Sequence, residues 1–133
     1  MLRSLVLSLP LVLVSASAAD IDCNNAMDQN SMNMCADKDY QAADKKLNEV
    51  YGKVMTALDD AGYKAKLKTA QRAWIQYRDT ECTFEVAENE GGSIYPLVYS
   101  GCLTRLTNAR TKELQTYLTC FKDAARVVKA NTG

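Results

Sequence analysis

The chain has no histidine. That absence removes histidine-based acid–base catalysis, Ser–His and Cys–His nucleophile pairs and most zinc sites at once. Glycine is sparse, at six residues, and no Gly-rich phosphate loop is formed from them. No segment alternates apolar and polar residues between turn signals, so sheet architectures are not expected. Charge of one sign is not in excess either, with 16 basic and 16 acidic residues. Nothing in that balance favours nucleic acid or an anionic membrane surface as partner. The apolar run from Leu5 to Val14 falls well short of the roughly 20 residues that span a bilayer, so no membrane span is expected.

That run does have a meaning of its own. Arg3, the apolar stretch, and then Ser17, Ala18 and Ala19 before Asp20 make residues 1–19 a secretory signal peptide. Asp20, Ile21 and Asp22 separate the small residues from Cys23, which argues against a lipid-anchored form. Residues 20–133 then read as a single helical domain, frayed over about 125–133. Five cysteines in an exported chain of this size imply a disulfide framework with one thiol left over.

From Asp39 onward the apolar period is helical, and the fold is expected to be all-α. Asp37 is the expected cap of a first long helix over about 38–59, with Tyr40, Leu47, Tyr51, Val54 and Leu58 inward and Gly62 as its stop. A second helix over about 63–88 turns Leu67, Ala70, Trp74, Tyr77 and Cys82 inward and stops at Gly91 and Gly92. A third begins between Ser93 and Cys102, since Pro96 fits only a first turn, and buries Leu103, Leu106, Leu114, Tyr117 and Phe121. A short helical piece near 30–35 precedes them. Short connections make this an up-down-up bundle.

Register follows from where the hairpins fold. A turn at about residue 61 sets Asp44 level with Arg78, and one at about 92 sets Cys82 level with Cys102. The two thiols can therefore meet the roughly 5.5–6 Å Cα separation of a disulfide. Cys23 and Cys35 would lie about 18 Å apart on an unbroken helix, so pairing them requires a turn, for which residues 24–31 offer several Asn, Asp and Ser. Cys120 is left as a half-buried free thiol near the opposite end.

Asp44 stands where a leucine would be expected between Tyr40 and Leu47, and Arg110 likewise between Leu106 and Leu114. The bundle is therefore expected to contain a polar layer, with an Asp44–Arg78 ion pair and Asn48, Gln71, Trp74 and Arg110 around it. Such layers usually fix register; the functional alternative is an anionic ligand on Arg72, Arg78 or Arg110. Residues 79–90 carry Asp79, Glu81, Glu85, Glu88 and Glu90 and no base, which opposes the dipole of a helix that ends there. They are a solvated face or, with Ser93, Tyr95 and Tyr99, a docking surface for a basic protein. Glu81, Glu85 and Glu88 alone would hold a hard cation only loosely, so no metal or cofactor is expected. Lys45, Lys46, Lys53, Lys64, Lys66 and Lys68 gather around the first hairpin and serve solubility, or contact with an anionic envelope polymer.

Several pieces in order resemble one family. They are Asp22–Cys23, MNMCA at 32–36, Asp44, Leu47, Asn48 and Tyr51, QRAWIQYRDTEC at 71–82, EGGS at 90–93, Cys102, Thr107, Arg110 and Leu114. Together they resemble the LprI-type lysozyme-inhibitor N-terminal domain family of secreted bacterial proteins, though the lipid-attachment cysteine of the lipoprotein LprI has no counterpart here. The resemblance implies a non-enzymatic binding protein, periplasmic or secreted, that occludes the cleft of a basic lysozyme. The rival expectation is an envelope scaffold or stress-related binding protein without that specificity.

Overall fold

The computed structural model describes residues 21–131, with side chains to Asp123; the signal peptide expected over residues 1–19 lies outside the described residues. Three long helices account for nearly all of them: α1 at Gln29–Ala57, α2 at Ala61–Glu85 and α3 at Tyr95–Asn131, with a 3-10 turn at Ala87–Asn89 before the last. Among the described residues there is no strand. At 1.5 Å per residue α3 is about 55 Å long and α1 about 44 Å.

The piece expected near 30–35 is the start of α1 and not a separate helix. Asp28, not Asp37, is the cap: its carboxylate accepts from the Ser31 amide at 2.9 Å. Asp37 lies inside α1 and accepts from Gln41 Nε2 one turn on, at 2.7 Å. The turn that lets Cys23 meet Cys35 therefore sits over residues 22–28, where Asp22 accepts from Asn24 and Asn25, and Cys35 follows in the second turn of the helix. The bridged Cα atoms are 5.6 Å apart.

Gly62 does not stop α1, which ends at Ala57. It belongs to the first turn of α2, where a Cβ would stand 2.9 Å from Asp60 Oδ1. The missing side chain leaves room for the Asp60 carboxylate to fold over the turn and accept from the Tyr63 amide at 2.8 Å. Asp60→Ala should therefore lower stability by about 1 kcal/mol, read as a fall of about 4 °C in thermal denaturation. At the other hairpin Gly91 has φ of 76°, a left-handed conformation that a side chain would strain.

α1 and α3 are the closest pair and run the same way, with α2 antiparallel against them. One core cluster joins Leu47, Val50 and Val54 of α1 to Leu114 of α3, with Leu58, Leu67 and Trp74 packed on it. A second surrounds the Cys82–Cys102 bridge with Leu103, Tyr40, Tyr99 and Leu106. α2 offers only a narrow inward stripe, Gln71, Arg78 and Cys82, with Leu67 and Trp74 half-buried. Ala70 and Tyr77, expected inward, are exposed because the stripe leaves them on its flanks. Tyr117 and Phe121 are exposed for a related reason: α2 does not cover that part of α3.

Candidate functional site

Between the two apolar clusters lies the polar layer. Arg78 is buried, and its Nε donates to Asp79 Oδ1 at 2.8 Å. Its Nη1 reaches Asp44 Oδ1 and Thr107 Oγ1 only at 3.5 Å each. The guanidinium lies 5.4 Å from the Tyr40 ring centre and 5.3 Å from that of Trp74. Arg110 approaches Trp74 at 6.0 Å, so the single tryptophan has an arginine near it from each of two helices. Arg110 Nε donates to Gln71 Oε1 at 3.1 Å and Nη1 to Glu113 Oε2 at 2.8 Å. No buried side-chain nitrogen or oxygen among the described residues lacks a partner.

Burial works against the Arg78 charge. The Asp79 bond and the fields of Tyr40, Asp79 and Asp44 outweigh it and hold the group above the ordinary arginine value. Burial also pushes the Tyr40 phenol up, with Arg78 pulling the other way.

Two expectations for the layer change. Asp44 is half-exposed at its edge, and the nearer carboxylate for Arg78 is Asp79, which the sequence had placed among the docking acids. Asn48 is exposed and donates to Asp44 Oδ2 at 3.0 Å without entering the layer. Thr107 and Thr111 are buried there instead, Thr111 donating to the Thr107 carbonyl at 2.9 Å. Thr107 precedes Arg110 by three residues and Thr111 precedes Leu114 by three, and that helical spacing was the available signal.

The acidic end is also narrower than its composition suggests. Glu85 pairs with Arg105 across the second hairpin, and Asp79 with Arg78. That leaves Glu81, half-buried, with Glu88 and Glu90 exposed in and beside the 3-10 turn. Glu88 lies past the end of α2, so Glu81, Glu85 and Glu88 do not share one helix face, and among the described residues no group of three His, Cys, Asp or Glu is placed to hold a metal. Tyr95 and Tyr99 stack at 5.6 Å and are half-buried, Tyr99 against the Cys82–Cys102 cluster, so neither is a freely offered ring. The Ser93 carbonyl accepts from Asn33 Nδ2 at 2.9 Å and ties the loop to α1. Phe84, by contrast, is 78% exposed between the acids, and Ile94 is exposed just past the glycines. Sequence reasoning missed Phe84, although two residues beyond an inward Cys82 it must face outward on a helix. Cys120 is exposed rather than half-buried.

A family model described as "Lysozyme inhibitor LprI" matches residues 22–114. The uncharacterised protein R02472 of Rhizobium meliloti (strain 1021) is 43% identical, over 76% of this chain and 81% of its own. The uncharacterised protein YecT of Escherichia coli (strain K12) is 30% identical, over 88% of this chain and 91% of its own. A solved DUF1311 family protein of Pseudomonas putida KT2440 is similar in fold, with a TM-score of 0.63 and 26% identity, covering 69% of this chain and 94% of that one.

Proposed function

The chain belongs to the family described as lysozyme inhibitor LprI, and on that premise we propose that it is a small exported binding protein that inhibits a basic lysozyme by occluding its substrate cleft. The match over residues 22–114 carries the reading, because it takes in both disulfides, both hairpins and the whole acidic end. Two disulfides suit an oxidising compartment outside the cytoplasm. No helix among the described residues is long and apolar enough to cross a membrane. Inhibition needs no covalent chemistry: an exposed aromatic, Phe84, with Glu81, Glu88 and Glu90 close to it in sequence, offers an apolar anchor in an acidic segment.

A cell-wall clearing assay tests this. Basic lysozymes should be inhibited, and the Glu88→Lys/Glu90→Lys double variant should weaken inhibition about tenfold or more at low salt, with a flatter salt dependence. No inhibition at a tenfold excess across several basic lysozymes would remove the proposal.

A further inference from the structure

The opposite end of the bundle carries a groove that an acidic docking face does not use. It has a volume of about 360 Å³ and opens between the first half of α2 and the later part of α3. Its floor is Val54, Leu58 and Leu67, all part of the apolar core or packed on it. Its walls are Tyr63, Tyr117 and Phe121, which are 61%, 42% and 37% exposed. Three aromatic rings left open around one apolar hollow form a patch of the kind that marks a binding surface. Ala70 is too small to close the gap from the α2 side.

The polar lining has one sign. Lys66 and Arg110 border the groove and no acid does. Lys66 lies 5.5 Å from the Tyr63 ring centre. Arg110 commits two of its five N–H donors, to Gln71 and Glu113. The volume falls in the range of small-molecule pockets, about 300–1,000 Å³, whereas a protein partner requires about 800 Å² of its own surface covered.

We propose that this groove binds a single-chain anionic amphiphile, its chain over Leu58, Leu67 and Phe121 and its carboxylate or phosphate head at Lys66 and Arg110. The Trp74 ring, 6.0 Å from the Arg110 guanidinium, then reports occupancy.

The test titrates the full oxidised protein with dodecanoate, dodecyl phosphate and dodecyl maltoside below their micelle concentrations, by calorimetry and Trp74 emission. At least one anion should bind, tenfold or more tighter than the neutral maltoside, and the tighter head group identifies the source chemistry. Lys66→Glu should weaken the anions at least tenfold and leave the maltoside unchanged. Phe121→Asp, at an exposed position, should abolish binding of the anions without lowering the melting temperature. Several outcomes would overturn the proposal: no binding by either anion, equal binding of the neutral amphiphile, or unchanged affinity in both variants. So would a dimer that Phe121→Asp dissociates while the anions never bind, since the groove would then be covered by a second copy. Lysozyme clearing by the Phe121→Asp variant should stay at the wild-type level, so failure here is distinguishable from failure of the inhibitor reading.

Discussion

Replacing Cys82 and Cys102 together by alanine is expected to destabilise the protein by about 4 kcal/mol, lowering its melting temperature by roughly 15 °C. Two contributions add. Opening a loop of 20 residues releases denatured-state entropy equivalent to about 3 kcal/mol on the chain-entropy account. Cys82 and Cys102 are also the most buried residues of the second core cluster, packed with Leu103, Tyr40 and Tyr99, so removing their sulfurs leaves a void costing about a further 1 kcal/mol. The Cys23–Cys35 bridge separates the two effects. Its sequence separation of 12 predicts nearly the same entropy term, but Cys23 is exposed and the bridge only ties the 22–28 turn to the start of α1. Its double alanine variant should therefore melt several degrees higher than the Cys82/Cys102 one. Equal losses in thermal denaturation would show that core packing around Cys82 adds nothing to the bridge.

The pairing of Cys82 with Cys102 was legible because two turn positions set the register of three helices, and register is a count along the chain. The same count put Arg78 beside Asp44, and the two do meet, at 3.5 Å. What the count could not supply was which of several carboxylates an arginine prefers once its side chain bends. Asp79, its neighbour in sequence, lies nearer at 2.8 Å. Glu85 was read as free acid for a similar reason, since its partner Arg105 comes from the far side of the glycine hairpin. Helix starts failed differently. Asp28 and Asp37 are both good caps followed by helix formers, and only the disulfide turn over 22–28 decides for the earlier one. The inward face of α2 was overestimated because periodicity reports which residues share a face without saying how much of that face a neighbour covers. Ala70, Tyr117 and Phe121 share periodic stripes with core residues, yet they border an open groove.

Arg78→Ala is expected to cost about 2–3 kcal/mol and about 10 °C in melting temperature. Breaking a buried ion pair typically costs about 3–5 kcal/mol because the remaining charge is stranded. Here the acids can return to water, since the side chains of Asp44 and Asp79 are 39% and 48% exposed, and that lowers the figure. What cannot be recovered is the packing of the guanidinium against Tyr40 and Trp74, where a cation–ring contact contributes from about 0.5 kcal/mol when exposed to about 2 kcal/mol when desolvated. Arg78→Met keeps the stem and loses the charge, so it should cost about 1 kcal/mol, as apolar replacement of buried ions often nearly breaks even. A methionine variant as unstable as the alanine one would place the stabilisation in the charge, through the ion pairs and ring contacts together, and not in the packing of the stem. Tyr40 supplies an independent readout. Burial already raises its phenol above 10.0 while Arg78 opposes that shift, so removing Arg78 should move its alkaline titration further up. The sign for stability follows from linkage. Tyr40 stays protonated in the fold, so its contribution is complete below the unfolded value of 10.0 and is lost as pH rises through the higher folded value. In the alanine variant that loss should extend to higher pH, a change that a mere cavity at position 78 would not produce.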